Sequence, residues 1–452
     1  MSNVFDFNSS VVDEGSSIKD AMKAIDKNLI GIAFIVDAKK SLKGVVTDGD
    51  IRRALLQGIS INDAVSSIVN KNPLFVRQGN EVFDESIRKS VPVGGSLKIP
   101  VVDDEGKILR IVFLYDKSVS FSRDPNKTEH VKQVLVVGGA GYFGAVLARK
   151  LLSKGYRVKV LDNVMYGDHG IKDLYGKEGF TFVNGDMRNM TDVVDAIKGV
   201  DAVIHLASLV GDPACTVSPR QAIELNYFST KLLADVCKYF QINRFIFSST
   251  CSNYGASSGD ELLAEEAKLN PVSIYAKMKI NSEQVLLDME DGNFAPTIMR
   301  MPTLFGVSPR MRFDLVINLL SAKAVVDKKI TVFGGEQWRP FLHLEDAADA
   351  YIRCLELPIE KIKGGIFNVG SEINNYKIIQ IAEIIKKIVP DADIVVNEDK
   401  ADKRNYRIAF SRFKSVFDME LKHGIEYGVN EVLALDMEVL KDYNNPKYRN
   451  IA

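Results

Sequence analysis

Val134-Leu135-Val136-Val137-Gly138-Gly139-Ala140-Gly141-Tyr142-Phe143-Gly144 decides the fold of this chain. An apolar run ends in a glycine loop, and the helical pattern AVLARKLLSKG (145–155) follows at once. A strand that enters a helix through glycines brings backbone N–H groups close to a phosphate, because no Cβ intervenes. The helix N-terminus adds unpaired donors and a partial positive charge. The spacing through Gly138, Gly141 and Gly144 is G-x-x-G-x-x-G, a departure from the commoner G-x-G-x-x-G. Eighteen residues past Gly144, Asp162 closes a second apolar strand, YRVKVLDN (156–163). A carboxylate there can accept both hydroxyls of a ribose and repels a 2′-phosphate, which favours NAD over NADP.

A third signal is reactive. Tyr275 is followed four residues later by Lys279, one helical turn away. A free tyrosine has a pKa of about 10 and is a poor base at neutral pH. A neighbouring ammonium and the positive nicotinamide favour the phenolate, so the phenol can take a proton from a sugar hydroxyl while hydride leaves the same carbon. The apolar strand FIFSSTCSNYG (245–255) precedes it and ends in hydroxyls that can orient the substrate oxygen.

The motifs VVGGAGYFG, VLDN, NGDMRN, DAVIHLAS, ELNYFST, FSSTCSNYG, PVSIYAKMK, GGEQWRPFLHLEDAADA and IFNVGS run in order from about 131 to 450. Residues in this span resemble the extended short-chain dehydrogenase/reductase family, the nucleotide-sugar epimerases and dehydratases. The resemblance implies Thr250 as the catalytic Ser/Thr, with Tyr275 and Lys279 as base and partner. It places the NAD site at Gly138, Gly141, Tyr142, Phe143, Gly144, Asp162 and Asn163. Asp186 (at adenine), Met187, Leu206, Ala207, Asn226, Tyr275 and Lys279 complete that site.

Members differ after the catalytic Thr. Sugar 4,6-dehydratases carry an Asp-Glu pair there, whereas this chain has Cys251-Ser252. The 3,5-epimerases and epimerase-reductases place a cysteine two residues before the strand-end tyrosine, where Ser252 stands, so Cys251 reads as a small packing residue. The arrangement is closest to a 4-epimerase working through a transient 4-keto sugar. Thr303 replaces the asparagine that touches substrate phosphate in galactose epimerases, which keeps open a 4-ketoreductase or a dehydratase using other acids. A non-catalytic nucleotide or redox sensor is the reading of another class, and the intact trio argues against it.

A nucleotide-diphosphate sugar needs cations for its phosphates, and guanidinium suits them with paired donors in a fixed fork. The candidates, with Thr303, are Arg310, Arg312, Arg339, Arg404 and Arg407. Arg339 matches the family's phosphate-binding arginine best. Trp338 adjoins it, to stack near substrate or to brace it. Asp212 reads as a cap before Pro213, and His205 as a strand-end packing residue.

The first 120 residues repeat themselves. FIVDAKKSLKGVVTDGD (34–50) recurs 66 residues later as PVVDDEGKILRIVFLYD (100–116), each copy reading strand, Asp/Gly turn, strand. This resembles a tandem cystathionine-β-synthase (CBS) domain pair, which implies an adenine nucleotide (AMP, ADP or ATP) or a dimerising role. The signature G-x-x-T-x-x-D is complete as Gly44, Thr47 and Asp50. In the second copy Arg110 and Phe113 replace the Gly and Thr, so one site is expected.

With 58 Lys plus Arg against 59 Asp plus Glu, nothing invites nucleic acid or a membrane surface. The four cysteines and five histidines show no metal spacing, and the cysteines read as reduced, cytosolic thiols. No apolar run reaches the roughly 18 residues of a membrane span, and the N-terminus has no basic-then-apolar signal pattern. A cytoplasmic protein is expected, and the CBS resemblance implies a homodimer or higher homo-oligomer. The expected architecture is α/β: a CBS pair at 1–120, a linker at 121–131, and a Rossmann-type doubly wound parallel sheet at 132–452. Its small substrate lobe lies mainly after 303 and includes the helix KIIQIAEIIKKIV (377–389).

Overall fold

The computed structural model describes residues 10–28, 31–78, 96–115, 131–210, 215, 217–257, 261–291, 293–398, 402 and 404–450. The chain divides into two compact units, 1–128 and 129–452. Asp116, Asp212 and residues 121–130 of the expected linker lie outside the described residues.

The N-terminal repeat is visible in the hydrogen bonds. Strand Val11–Asp13 pairs in parallel with Ile32–Val36, which turns back antiparallel onto Leu42–Thr47. Strands Val76–Arg77, Ser96–Val102 and Ile108–Tyr115 repeat that arrangement. The register irregularity falls at Ile35/Val36 in one copy and at Val101/Val102 in the other, the same 66-residue offset read in the sequence. Each hairpin is closed by one aspartate. Asp37 Oδ1 accepts the N–H groups of Lys39 and Ser41 at 2.9 and 3.0 Å, and Asp103 Oδ1 accepts those of Glu105 and Lys107 at 2.9 and 2.8 Å. An aspartate that caps its own turn fixes the hairpin without large side chains.

The second unit is built on a seven-stranded sheet. Its spatial order is Ile366–Asn368, Ala295–Met301, Arg244–Thr250, Ala202–His205, Gln133–Val137, Arg157–Asp162, Phe180–Asn184. Every neighbouring pair is parallel. In chain order this is 3-2-1-4-5-6 with a seventh strand added, the doubly wound arrangement that the βα alternation predicts. Val134, Val136, Ile204 and Ile246 are fully buried from one side, and Leu135, Val203, Phe245 and Phe247 from the other, because strands covered by helices on both faces become continuous apolar runs. The order reverses between Gln133–Val137 and Ala202–His205, and a crevice opens beyond their carboxyl ends.

A smaller lobe follows residue 302. Strand Trp338–His343 lies between Thr303–Phe305 (parallel) and Asn375–Lys377 (antiparallel), and Lys329–Phe333 pairs with Asp393–Asn397. Helices Val316–Val326, Ile378–Ile388 and Ile425–Leu433 pack against these strands through Ile317, Ile381, Ile385 and Val429. The expected helix at 377–389 is therefore present, with Ile378, Ile381, Ala382 and Ile385 on its buried face.

Candidate functional site

One cavity of about 720 Å³ occupies the crevice and reaches across to the C-terminal lobe. Its floor is the glycine loop. Gly138 adopts φ +86°, and a Cβ built on it falls 2.6 Å from Ala207 N, so two strand ends touch here only through glycine. A Cβ on Gly144 would fall 2.4 Å from Gly138 O, which lets the helix Tyr142–Ser153 start directly against the loop. Gly141 is the N-cap of that helix, and a Cβ there would meet only Gly138 O. The space it would take belongs to the cavity. Glycine backbone, an open helix N-terminus and a carboxylate at the next strand end fit a dinucleotide.

That carboxylate is Asp162. Its two oxygens accept Val164 N at 2.9 Å and Ala140 N at 3.0 Å, and it lines the cavity. Burial pushes its carboxyl above the usual range, opposed by those N–H groups and by Arg310. Asn163, Met187, Leu206 and Ala207 also line the cavity, as do Tyr142 and Phe143. The Tyr142 hydroxyl is spent on Gly306 O at 2.6 Å, so the residue contributes its ring rather than a donor.

Two expected cofactor residues stand behind the wall. Asp186 accepts Arg188 Nε and Nη2 at 3.0 and 2.7 Å and Asn163 Nδ2 at 3.1 Å, and Arg188 holds its carboxyl down to about 2. Gly185 and Met187 line the cavity on either side of it. Asn226 is fully buried on the π-helical turn Glu224–Phe228. Its Oδ1 accepts Leu209 N at 2.7 Å and Ser208 Oγ at 2.9 Å, so it braces the loop after Ala207 from beneath.

Thr250, Tyr275 and Lys279 line the same cavity together. Thr250 ends its strand and caps the short helix Cys251–Tyr254, its Oγ1 accepting Ser252 N at 3.1 Å. Tyr275 and Lys279 lie on the first two turns of the helix Ile274–Asp288, which Ser273 caps. Lys279 donates to Ser248 O at 2.7 Å, lies 4.5 Å from the centre of the Phe247 ring and 6.0 Å from that of Tyr275. Burial pulls its pKa down to about 7, with Glu283 acting in the opposite direction. Cys251 is 1% exposed and donates to Arg300 O at 3.4 Å, and burial pushes its thiol far up, so it packs and neither donates to nor attacks substrate. His205 is likewise a packing residue, fully buried and bonded to Thr230 Oγ1 at 2.9 Å.

The arginines divide into two groups. Arg339 and Arg404 line the cavity and share one carboxylate. Arg339 Nη2 lies 3.0 Å from Asp402 Oδ2, and Arg404 Nε is 3.1 Å from both Asp402 oxygens. Arg310 and Arg312 lie instead near the glycine loop: a Cβ on Gly170 would meet both Arg310 and Ala140 O, and the Arg312 guanidinium lies 6.0 Å from the centre of the Tyr142 ring. Thr303 also lines the cavity. Arg310 stacks 4.6 Å over Tyr166 and donates to Arg449 O at 3.2 Å, and burial pulls its pKa down to about 10. Arg312 is paired through both Nε and Nη2 to Asp314 at 2.9 and 2.7 Å. Arg407 is not part of the wall. Its guanidinium lies 4.7 Å over Trp338, so the tryptophan braces a different arginine from the one beside it in sequence.

Asp314, Asp402, Tyr406 and Asn450 line the cavity without having been expected. The two aspartates were readable in part, since each lies two residues from an arginine that it pairs. Tyr406 Oη lies 3.5 Å from Ser252 Oγ, and Asn450 arrives from the far end of the chain, so neither leaves a local signal.

In the N-terminal unit the signature residues are engaged with one another. Asp50 Oδ2 accepts Thr47 N and Oγ1 at 2.9 and 2.7 Å, forming the capping box of the helix Asp48–Leu56, and Arg53 donates to Asp50 Oδ1 at 2.6 Å. A Cβ on Gly44 would fall 2.4 Å from Asn70 O, so this glycine admits a neighbouring chain segment. Among the described residues no cluster suited to a metal occurs, and no helix is long and apolar enough to cross a membrane.

Comparison with known proteins bears on the whole arrangement. The NAD dependent epimerase/dehydratase family model matches residues 134–370, and the CBS domain model matches residues 4–57. UDP-glucose 4-epimerase of Bacillus subtilis (strain 168) is 26% identical over 279 residues, covering 56% of this chain and 81% of that protein. Probable UDP-arabinose 4-epimerase 3 of Oryza sativa subsp. japonica is 26% identical over 334 residues, 67% of this chain and 80% of that one. Among solved structures, UDP-glucuronic acid 4-epimerase from Bacillus cereus, in complex with UDP-glucuronic acid and NAD, superposes with a TM-score of 0.60 at 24% identity. It covers 69% of this chain and 99% of its own, and at that identity the likeness establishes the fold. The family model spans more than half of the residues, and the glycine loop and the Tyr-x-x-x-Lys pair line a single cavity: the chain belongs to the NAD dependent epimerase/dehydratase family.

Proposed function

We propose that this protein is a nucleotide-sugar 4-epimerase. The observation that supports the reading is that Thr250, Tyr275 and Lys279 line the same cavity as the glycine loop, Asp162, Arg339 and Arg404. Tyr275 takes the proton from the sugar 4-hydroxyl, and Thr250 holds that oxygen against it. Lys279, when charged, favours the phenolate. NAD, when bound, supplies a hydride acceptor that returns the hydride, so no net redox change results. Arg339 and Arg404 hold the diphosphate through paired donors, leaving the sugar to turn between the two half-reactions. The reading is favoured over a dehydratase because Thr250 is followed by Cys251, buried outside the cavity lining, and by Ser252 on the wall, rather than by a carboxyl pair. The named relatives act on UDP-sugars, which makes a UDP-sugar the first substrate to try.

The test is incubation with a panel of UDP-sugars, with and without added NAD, and assay of the C4 configuration. Conversion without net consumption of cofactor is expected, and Tyr275→Phe should abolish it while leaving NAD bound. Net consumption of reduced cofactor would identify a reductase instead. Retention of more than about a tenth of the rate by Tyr275→Phe, a barrier change of only about 1.4 kcal/mol, would reject Tyr275 as the base.

A further inference from the structure

The elements that carry the reacting groups meet at one buried carboxylate, Glu283. It lies one helical turn past Lys279 and is 3% exposed. One of its oxygens accepts three hydrogen bonds: from Ser249 Oγ, next to Thr250, from Asn253 Nδ2 at 2.8 Å, and from Arg300 Nε at 3.0 Å. The other accepts Arg300 Nη2 at 2.7 Å. Arg300, itself 3% exposed, comes from the adjacent strand Ala295–Met301. Its Nη1 donates to Tyr254 Oη at 2.9 Å and to Glu265 O at 3.0 Å, and Tyr254 donates onward to Asn368 Oδ1 at 2.8 Å.

This ion pair is hard to explain by stability. Desolvating two charges costs several kcal/mol, and an apolar pair of the same shape is often as stable or more so. What the pair does fix is geometry. It joins the end of the strand that presents the Thr250 hydroxyl to the helix that presents the Tyr275 phenol, and ties both to the strand beside them. We propose that Glu283, together with Arg300, is a positioning device for the Thr250–Tyr275–Lys279 trio. The role rests on the trio acting as described for the epimerase. A misplacement of about 1 Å between reacting groups can cost on the order of a hundredfold in rate.

The surroundings of Lys279 bear on the readout. Tyr275 and Glu283 face it from its own helix, Ser248 O and the Phe247 ring from the strand Arg244–Thr250, and His205 from the end of the neighbouring strand. Cys215 is also close enough to interact with it, and His205 is held neutral by burial. Glu283 is thus the carboxylate in this set.

Two variants of the full-length, NAD-loaded protein test the role. Ser249→Ala removes one hydrogen bond, and Glu283→Gln with Arg300→Gln removes both charges while keeping shape. The first readout is kcat and KM separately on the UDP-sugar turned over. The second is the titration midpoint of tyrosinate absorbance, with Tyr275→Phe as the blank, which needs no substrate. The double variant should lose about 10- to 100-fold in kcat and Ser249→Ala about fivefold, with KM moved less than about threefold. The midpoint should rise by roughly one pH unit in the double variant. Should the double variant fail to fold, Ser249→Ala decides. Folded variants with unaltered kcat and midpoint would overturn the positioning role. A midpoint in the unaltered protein no lower than that of ordinary tyrosine would instead overturn the base assignment.

Discussion

Lys279→Met should make the protein more stable and inactive. In the folded state the Lys279 pKa lies near 7 against an ordinary 10.5, because burial penalises the ammonium. The folded-state value is the lower one, so between about 7 and 10.5 the unfolded chain binds more protons and stability rises with pH. Below about 7 both states carry the proton, and the full cost of burying the charge is present. At about 1.4 kcal/mol per pH unit, a shift of roughly three units costs on the order of 4 kcal/mol. The variant also loses the bond to Ser248 O and the contact with Phe247, together worth about 1 to 3 kcal/mol. The expected net gain at pH 6.5 is therefore about 1 to 3 kcal/mol, shrinking and reversing by about pH 10. Denaturant midpoints of the cofactor-free proteins at both pH values measure it. Bound NAD would stabilise by mass action and mask the effect. A variant less stable at pH 6.5, with a deficit that does not change with pH, would refute the argument that the ammonium is buried at a cost.

Other consequences can be measured directly. NAD should bind more tightly than NADP by calorimetry, and Asp162→Ala should narrow that gap; equal affinities in the unaltered protein would remove Asp162 from its role. Gly144→Ala places a Cβ 2.4 Å from Gly138 O and should cost about 1 to 3 kcal/mol of stability and much of the NAD affinity, read by thermal melting and cofactor content. Arg339→Ala should weaken UDP-sugar binding by about 2 to 4 kcal/mol while leaving NAD retention unchanged, and equal losses of both would place Arg339 elsewhere. Asp50→Ala removes the N3 half of the Thr47 capping box, at a cost of up to about 1 kcal/mol, so any AMP, ADP or ATP binding by the full chain must be compared at matched folding by titration; identical binding with and without Asp50 would exclude the signature as the nucleotide site.

What could be read in advance was what local sequence controls. The strand–glycine–helix unit is specified within eleven residues, because a positive φ and two close backbone approaches leave only glycine at Gly138 and Gly144. The CBS-like repeat was legible because its turns use an aspartate at the same offset. Tyr275 and Lys279 were legible as a pair one helical turn apart, whereas Thr250 was singled out from the strand-end hydroxyls only by the family resemblance. The arginines were less legible. A guanidinium reaches far from its Cα, and what it pairs with depends on chain brought from elsewhere: Tyr166 and Arg449 for Arg310, Trp338 for Arg407. The Glu283–Arg300 pair had no signature either, since a buried salt bridge and a solvated one look alike in sequence.

The wall nearest Asp162 is finished by the last part of the chain. Tyr448 O accepts Phe313 N, Arg449 O accepts Arg310, and Asn450 meets Tyr166 and Asp314 at 3.3 and 3.2 Å. Those residues lie far along the chain from what they meet, Asn450 being 284 positions from Tyr166. The glycine loop and its helix are built from local sequence, whereas the enclosure around them depends on contacts of long sequence separation. Substitutions that break these distant contacts should therefore leave a folded sheet with a leaky site.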